Sequence, residues 1–93
     1  MFEKLYVGNL PFEIDDRDLR ELFESVGVEV RDAHIHYDGI SGRSRGFGTV
    51  RCRRADAAVA LALRETEFRG RKLLIRPWTE SARFTQPHYG KKV

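Results

Sequence analysis

Apolar residues along this chain recur first at every second position, then at every third or fourth, and the switches between the two periods mark its elements. Residues 4–9, Lys-Leu-Tyr-Val-Gly-Asn, alternate strictly and predict a strand. Leu5 and Val7 take one face, and Lys4, Tyr6 and Gly8 the other. Pro11, without a ladder donor, ends it within Leu10-Pro11-Phe12. Asp15 or Asp16 then offers a helix N-cap, and the acidic first turn complements the helix dipole. Leu19, Leu22, Phe23 and Val26 recur at helical spacing and predict a buried stripe. Asp16, Arg17, Arg20, Glu21 and Glu24 fall on the wet side, and Gly27 stops the helix.

Alternation resumes over residues 29–37, with Ala33 and Ile35 inward and His34 and His36 opposite. Two His at this spacing have no third metal ligand in view, so a solvated or base-stacking pair is expected. Residues 38–44 form a Gly- and Ser-containing loop. The loop lacks Gly-Lys-Ser or Gly-Lys-Thr and leads into a strand, which excludes a nucleotide-binding loop of that kind. Arg45 to Cys52 reads as the third strand, with Val50 and Cys52 on one face and Arg45, Phe47, Thr49 and Arg51 on the other. Gly46 and Gly48 read as points where a backbone or ligand comes close.

Ala55 to Leu63 predicts a second, poorly capped helix with Ala57, Ala60 and Leu61 inward. Residues 65–70 read as a connection anchored by Phe68. Arg71 to Arg76 reads as the fourth strand, with Leu73 and Ile75 inward, Lys72, Leu74 and Arg76 outward, and Pro77 closing it. Periodicity is lost after that. A domain over 1–77 is expected, followed by a tail over 78–93 that is disordered beyond a core-sealing Trp78 or lies over the sheet.

Composition narrows the class. Ninety-three residues, 41% hydrophobic and 33% charged, suit one domain with one core. No run of 18 apolar residues is present, so no membrane partner is expected. Met1-Phe2-Glu3-Lys4 does not resemble a signal peptide. A single Cys allows no internal disulfide or thiol-rich zinc site and points to an intracellular setting, with nucleus, cytoplasm and an organelle all left open. No nucleophile–base arrangement emerges from the strand pattern, so neither an enzymatic role nor a cofactor is expected. Charge is lopsided: residues 1–37 carry 4 Lys or Arg against 9 Asp or Glu, and residues 38–93 carry 13 against 5.

Both outward strand faces place an aromatic ring beside cations: Tyr6 with Lys4, and Phe47 with Arg45 and Arg51. Flat rings interleaved with positive charge suit single-stranded nucleic acid, whose bases stack and whose phosphates pair with Arg. Arg43 and Arg45 would wrap a phosphate backbone. The acidic helix face would repel one.

Leu5-Tyr6-Val7-Gly8-Asn9-Leu10 looks like a six-residue signature, and Arg45 to Cys52 like the eight-residue signature, of the RNA recognition motif family. Leu-Pro-Phe at 10–12 and Ser-Gly-Arg-Ser-Arg-Gly-Phe-Gly at 41–48 are also family-like. The chain resembles that family over residues 3–77. The resemblance implies an α+β, ferredoxin-like β-α-β-β-α-β sandwich: a four-stranded antiparallel sheet with both helices on one face. It implies single-stranded RNA as partner, Tyr6 and Phe47 stacking on bases and Arg45 pairing with phosphate. Lys4, Asn9, Arg43, Thr49, Arg51, Lys72 and Arg76 complete the expected RNA-binding set. Thr49 stands where the family usually has a third exposed ring, and the inward Cys52 replaces a final aromatic. Single-stranded DNA is a weaker variant. A rival reading is a protein-interaction module, in which an acidic first helix and an Arg-x-Phe motif hold a peptide; here the chain reads Arg71-Lys72-Leu73.

Overall fold

The computed structural model describes residues 1–78. Its elements are β1 (Phe2–Gly8), α1 (Asp16–Glu24), β2 (Val30–Tyr37), β3 (Ser44–Arg53), α2 (Ala57–Leu61), β4 (Glu67–Phe68), β5 (Arg71–Lys72) and β6 (Leu74–Pro77). Four strands form an antiparallel sheet in the order β2-β3-β1-β6. Leu5, Val7, Ala33, Ile35, Val50, Cys52 and Ile75 on one sheet face share a core with Leu19 and Phe23 of α1 and Ala60 of α2. The sandwich that the family resemblance implied is the one formed.

Helix α1 starts where its cap chemistry dictates. Asp15 accepts from the Asp18 N–H at 2.9 Å, and the Asp18 carboxylate accepts from the Asp15 N–H at 3.1 Å. This reciprocal pair satisfies two donors that the helix itself leaves open. The helix ends at Glu24, so Val26 falls beyond the stripe expected to bury it and is 42% exposed; Val28, after Gly27, fills the core instead. Arg20 and Asp16 are not simply wet. Arg20 donates to the carbonyls of Val30 and Arg31 at 3.0 and 3.1 Å, and Asp16 accepts from the Ile35 N–H at 2.7 Å. Thus α1 side chains occupy peptide groups of edge strand β2, a protection that edge strands need.

Helix α2 is shorter than the predicted Ala55–Leu63. Arg54–Asp56 make a 3₁₀ turn with no side-chain cap, and the Asp56 carboxylate is occupied by the Glu29 N–H at 2.9 Å. The predicted strand 71–76 is split. Arg71 and Lys72 pair back with Phe68 and Glu67 in a small hairpin, and only Leu74–Pro77 joins the main sheet.

Two irregularities in β2–β3 pairing decide which side chains meet. An extra residue at Arg31 brings Asp32 opposite Arg51, and a second shift lies between Ile35 and Tyr37. Opposite the latter, Gly46 takes φ 81°, and its carbonyl accepts from the Leu10 N–H at 2.8 Å. That left-handed backbone suits Gly, and it breaks the strict alternation expected through Arg45. Gly48 does not open the sheet to a ligand. A Cβ there would collide with the His34 carbonyl oxygen and stand 3.1 Å from Leu19 Cδ2, so its bareness admits β2 and α1.

Candidate nucleic-acid interface

The sheet face away from the helices is assembled by register. His34, Thr49, Tyr6 and Arg76 align across β2, β3, β1 and β6, with the Asp32–Arg51–Lys4 row alongside. Aromatic side chains bridge these rows. The His36 and Phe47 ring centroids are 4.7 Å apart, those of Phe47 and Tyr6 5.5 Å, and those of Tyr6 and Trp78 6.5 Å. Interplanar angles of 24°, 25° and 30° respectively put each ring within 30° of its neighbour. Trp78 continues the ladder, donating its N–H to the Lys4 carbonyl at 2.9 Å. The expected tail beyond it, including Phe84 and Tyr89, lies outside the described residues.

Tyr6 is not openly displayed, as its outward face suggested, but only 9% exposed. Its ring lies over Gly8: a Cβ on that residue would stand 2.8 Å from Tyr6 Cε1 and Oη. The Arg76 guanidinium sits 4.9 Å from the ring centroid, and Phe47 and Trp78 flank it. Thr49, opposite both Tyr6 and His34, is 7% exposed. Phe47 is half-buried.

The expected cations divide by what holds them. Lys4 Nζ lies 4.7 Å from the Trp78 ring centroid. Arg51 is taken by a neighbour that sequence reasoning did not pair with it: Nη2 is 2.8 Å and Nε 3.1 Å from Asp32 Oδ2, with Nε also 3.3 Å from Oδ1. These hydrogen bonds hold the Asp32 carboxyl below the usual carboxylate range and raise the Arg51 guanidinium. Arg45 is exposed and lines a depression with Tyr6, Asn9, Phe12, Phe47 and Arg71. Arg43 lines a different one, with Phe12, Ile14 and Tyr37, so the two Arg expected to act together point into separate depressions.

The Asn9 side chain is engaged within the chain, with the Lys72 backbone carbonyl as one of its partners. Asn9 holds φ 58°, tolerable for Asn. Its Nδ2 donates to the Lys72 carbonyl at 2.6 Å, and its Oδ1 accepts from Arg71 Nη2 at 2.7 Å. Lys72 pairs with Glu67 in the β4–β5 hairpin, outside the main sheet where it was expected. Arg71, missed in the sequence, is held at the rim with its guanidinium 5.7 Å from the Phe12 ring. Only its place in a basic run, Arg69-Gly70-Arg71-Lys72, signalled it. Leu73, where the peptide-binding reading needs an exposed Phe, is buried. His36 titrates below the ordinary imidazole range, because burial disfavours its charged form and Lys4, His34 and Arg45 repel it.

The family model of the RNA recognition motif matches residues 5–74. RNA-binding protein CP29B, chloroplastic, of Arabidopsis thaliana is 46% identical over 74 residues, covering 80% of this chain and 24% of its own length. The small ribosomal subunit protein cS22 of Spinacia oleracea is 39% identical, over 77% of this chain and 28% of that protein. This chain therefore spans about a quarter of the length of these curated relatives. Among solved structures, the first two RRM domains of yeast poly(U)-binding protein superpose with a TM-score of 0.76 at 30% identity, covering 84% of this chain and 48% of that one. RNA binding protein PG1 gives 0.75 at 38% identity, covering 82% and 93%. With two glycine-bearing strands paired at the sheet centre and a family match over most of its length, this chain belongs to the RNA recognition motif family.

Proposed function

We propose that this domain binds single-stranded RNA across the sheet face opposite the helices. The observation that carries the reading is the row of stacked rings, His36, Phe47, Tyr6 and Trp78, edged by Lys4, Arg45 and Arg76. Rings of this kind accept any base face, and the cations accept phosphates. The relatives named as RNA-binding and ribonucleoprotein chains support it. Arg45, exposed beside Phe47 and without a side-chain hydrogen bond or ion pair among the described residues, is a phosphate contact. Arg76 and Lys4 leave the rings they cover when a base arrives. Single-stranded DNA binds more weakly, since the 2′-hydroxyl then offers nothing.

The test is fluorescence anisotropy with labelled RNA octamers, homopolymeric and mixed, beside matched DNA. Tyr6→Ala and Phe47→Ala each weaken RNA binding by about 1–3 kcal/mol, the usual worth of one base stack. Circular dichroism verifies that the fold survives. Unchanged affinity in a folded double variant would overturn the proposal.

A further inference from the structure

We infer that Trp78 is a base-stacking residue, supplying from β6 the ring that β3 lacks at Thr49; the inference rests on the sheet face being the RNA site. Thr49 offers no flat surface and is almost wholly covered. The next ring beyond Tyr6 is instead the Trp78 indole, at 6.5 Å and 30°. Its placement is a backbone matter. Pro77 pairs with Leu5, and the Trp78 N–H then donates to the Lys4 carbonyl, which extends β6 by one residue. Alternation along that strand puts Trp78 on the same face as Arg76, whose guanidinium lies over Tyr6.

The indole is half-buried and is not part of the hydrophobic core. What lies over it is the Lys4 ammonium, 4.7 Å from the ring centroid. A cation on an aromatic face at a solvent-accessible site is weakly held. An incoming base takes that place, and the released ammonium is then beside the base's own phosphate. One cation–ring contact is exchanged for a base stack and an ion pair, so the ring is ready for a nucleotide without lying bare in its absence.

Trp78 is the only Trp in the chain, so its emission reports on this position alone. The wild-type chain is titrated with unlabelled mixed-sequence RNA octamers and with octauridylate while Trp emission is followed. Anisotropy with labelled octamers runs in parallel. Quenching that saturates at the anisotropy Kd is expected. Trp78→Ala weakens binding about 5- to 150-fold, the equivalent of one stack, while Trp78→Phe restores most of it at an unchanged thermal midpoint. Saturable binding by anisotropy with unaltered Trp emission would overturn the role of Trp78 and leave the RNA reading standing. No binding of any octamer by anisotropy would overturn both.

Discussion

Asp32→Asn should tighten RNA binding, because it releases Arg51. In the folded chain the guanidinium makes three hydrogen bonds to the Asp32 carboxylate, between 2.8 and 3.3 Å. That carboxyl titrates below its ordinary range, so it stays charged throughout the neutral region. A phosphate approaching Arg51 meets a neutralised pair. Removing the acid gives Arg51 to the ligand, and a single-strand contact of this kind steepens the log–log salt slope by about 0.7. At about 0.1 M salt, one such contact corresponds to roughly a fivefold gain in affinity. The pair is partly exposed, with side chains 48% and 26% accessible, so its loss barely moves the thermal midpoint. The assay is anisotropy of a labelled RNA octamer at several salt concentrations. Deleting a negative charge also helps any polyanion, so the control is the same substitution in an Arg51→Gln background: there Asp32→Asn must give no gain over Arg51→Gln alone. A gain that persists in that background, or an unaltered salt slope in Asp32→Asn, refutes the reasoning.

Gly48→Ala should destabilise the fold by about 1–3 kcal/mol, the usual cost of overpacking, since the new Cβ meets the His34 carbonyl and Leu19; an unchanged urea midpoint would contradict that packing. The depressed titration of His36 makes the unfolded chain bind the extra proton. Its contribution to stability is therefore full above the ordinary imidazole range and is lost as the pH falls through the folded-state value. Urea midpoints measured from pH 7.5 downward should fall less steeply in His36→Phe than in wild type, and parallel curves would exclude this linkage. Asn9→Ala should free Arg71 from the rim, detectable as loss of a slowly exchanging Arg71 Nε proton by NMR, and a persistent signal would place its restraint elsewhere.

In β1, β2 and the second half of β3 the strands were legible because one face is buried and alternation then leaves little choice of side, whereas the equally buried Leu73 and Ile75 did not reveal that their strand is split. Leu5, Val7, Ala33, Ile35, Val50 and Cys52 all face the core as their spacing indicates. The start of α1 was legible because Asp15 and Asp18 are local chemistry. Partnership across strands was not. Asp32 meets Arg51 only because one extra residue is accommodated at Arg31, and a single residue of register separates that outcome from another. The covering of Tyr6 was equally hidden, since it depends on Arg76 and Trp78, some seventy positions further along the chain. Alternation brought Tyr6, Phe47, Lys4 and Arg76 to one sheet face, but it did not show that these groups already cover one another, nor that Lys72 turns away into the hairpin.

Strand order carries a consequence for how the domain is made. β1 lies between β3 and β6, so the earliest strand of the domain to be synthesised is the one that needs two later partners. At about 5–20 residues per second, Gly8 waits roughly 3–13 s for Leu74. During that interval Leu5, Val7 and two open ladders of peptide groups are available to any neighbouring nascent chain. Glu3 and Lys4 lie at the start of the same strand. Like charges on adjacent copies disfavour in-register stacking of such a segment. Lys4 would therefore have a task before any ligand is met, as a gatekeeper against self-pairing on the ribosome.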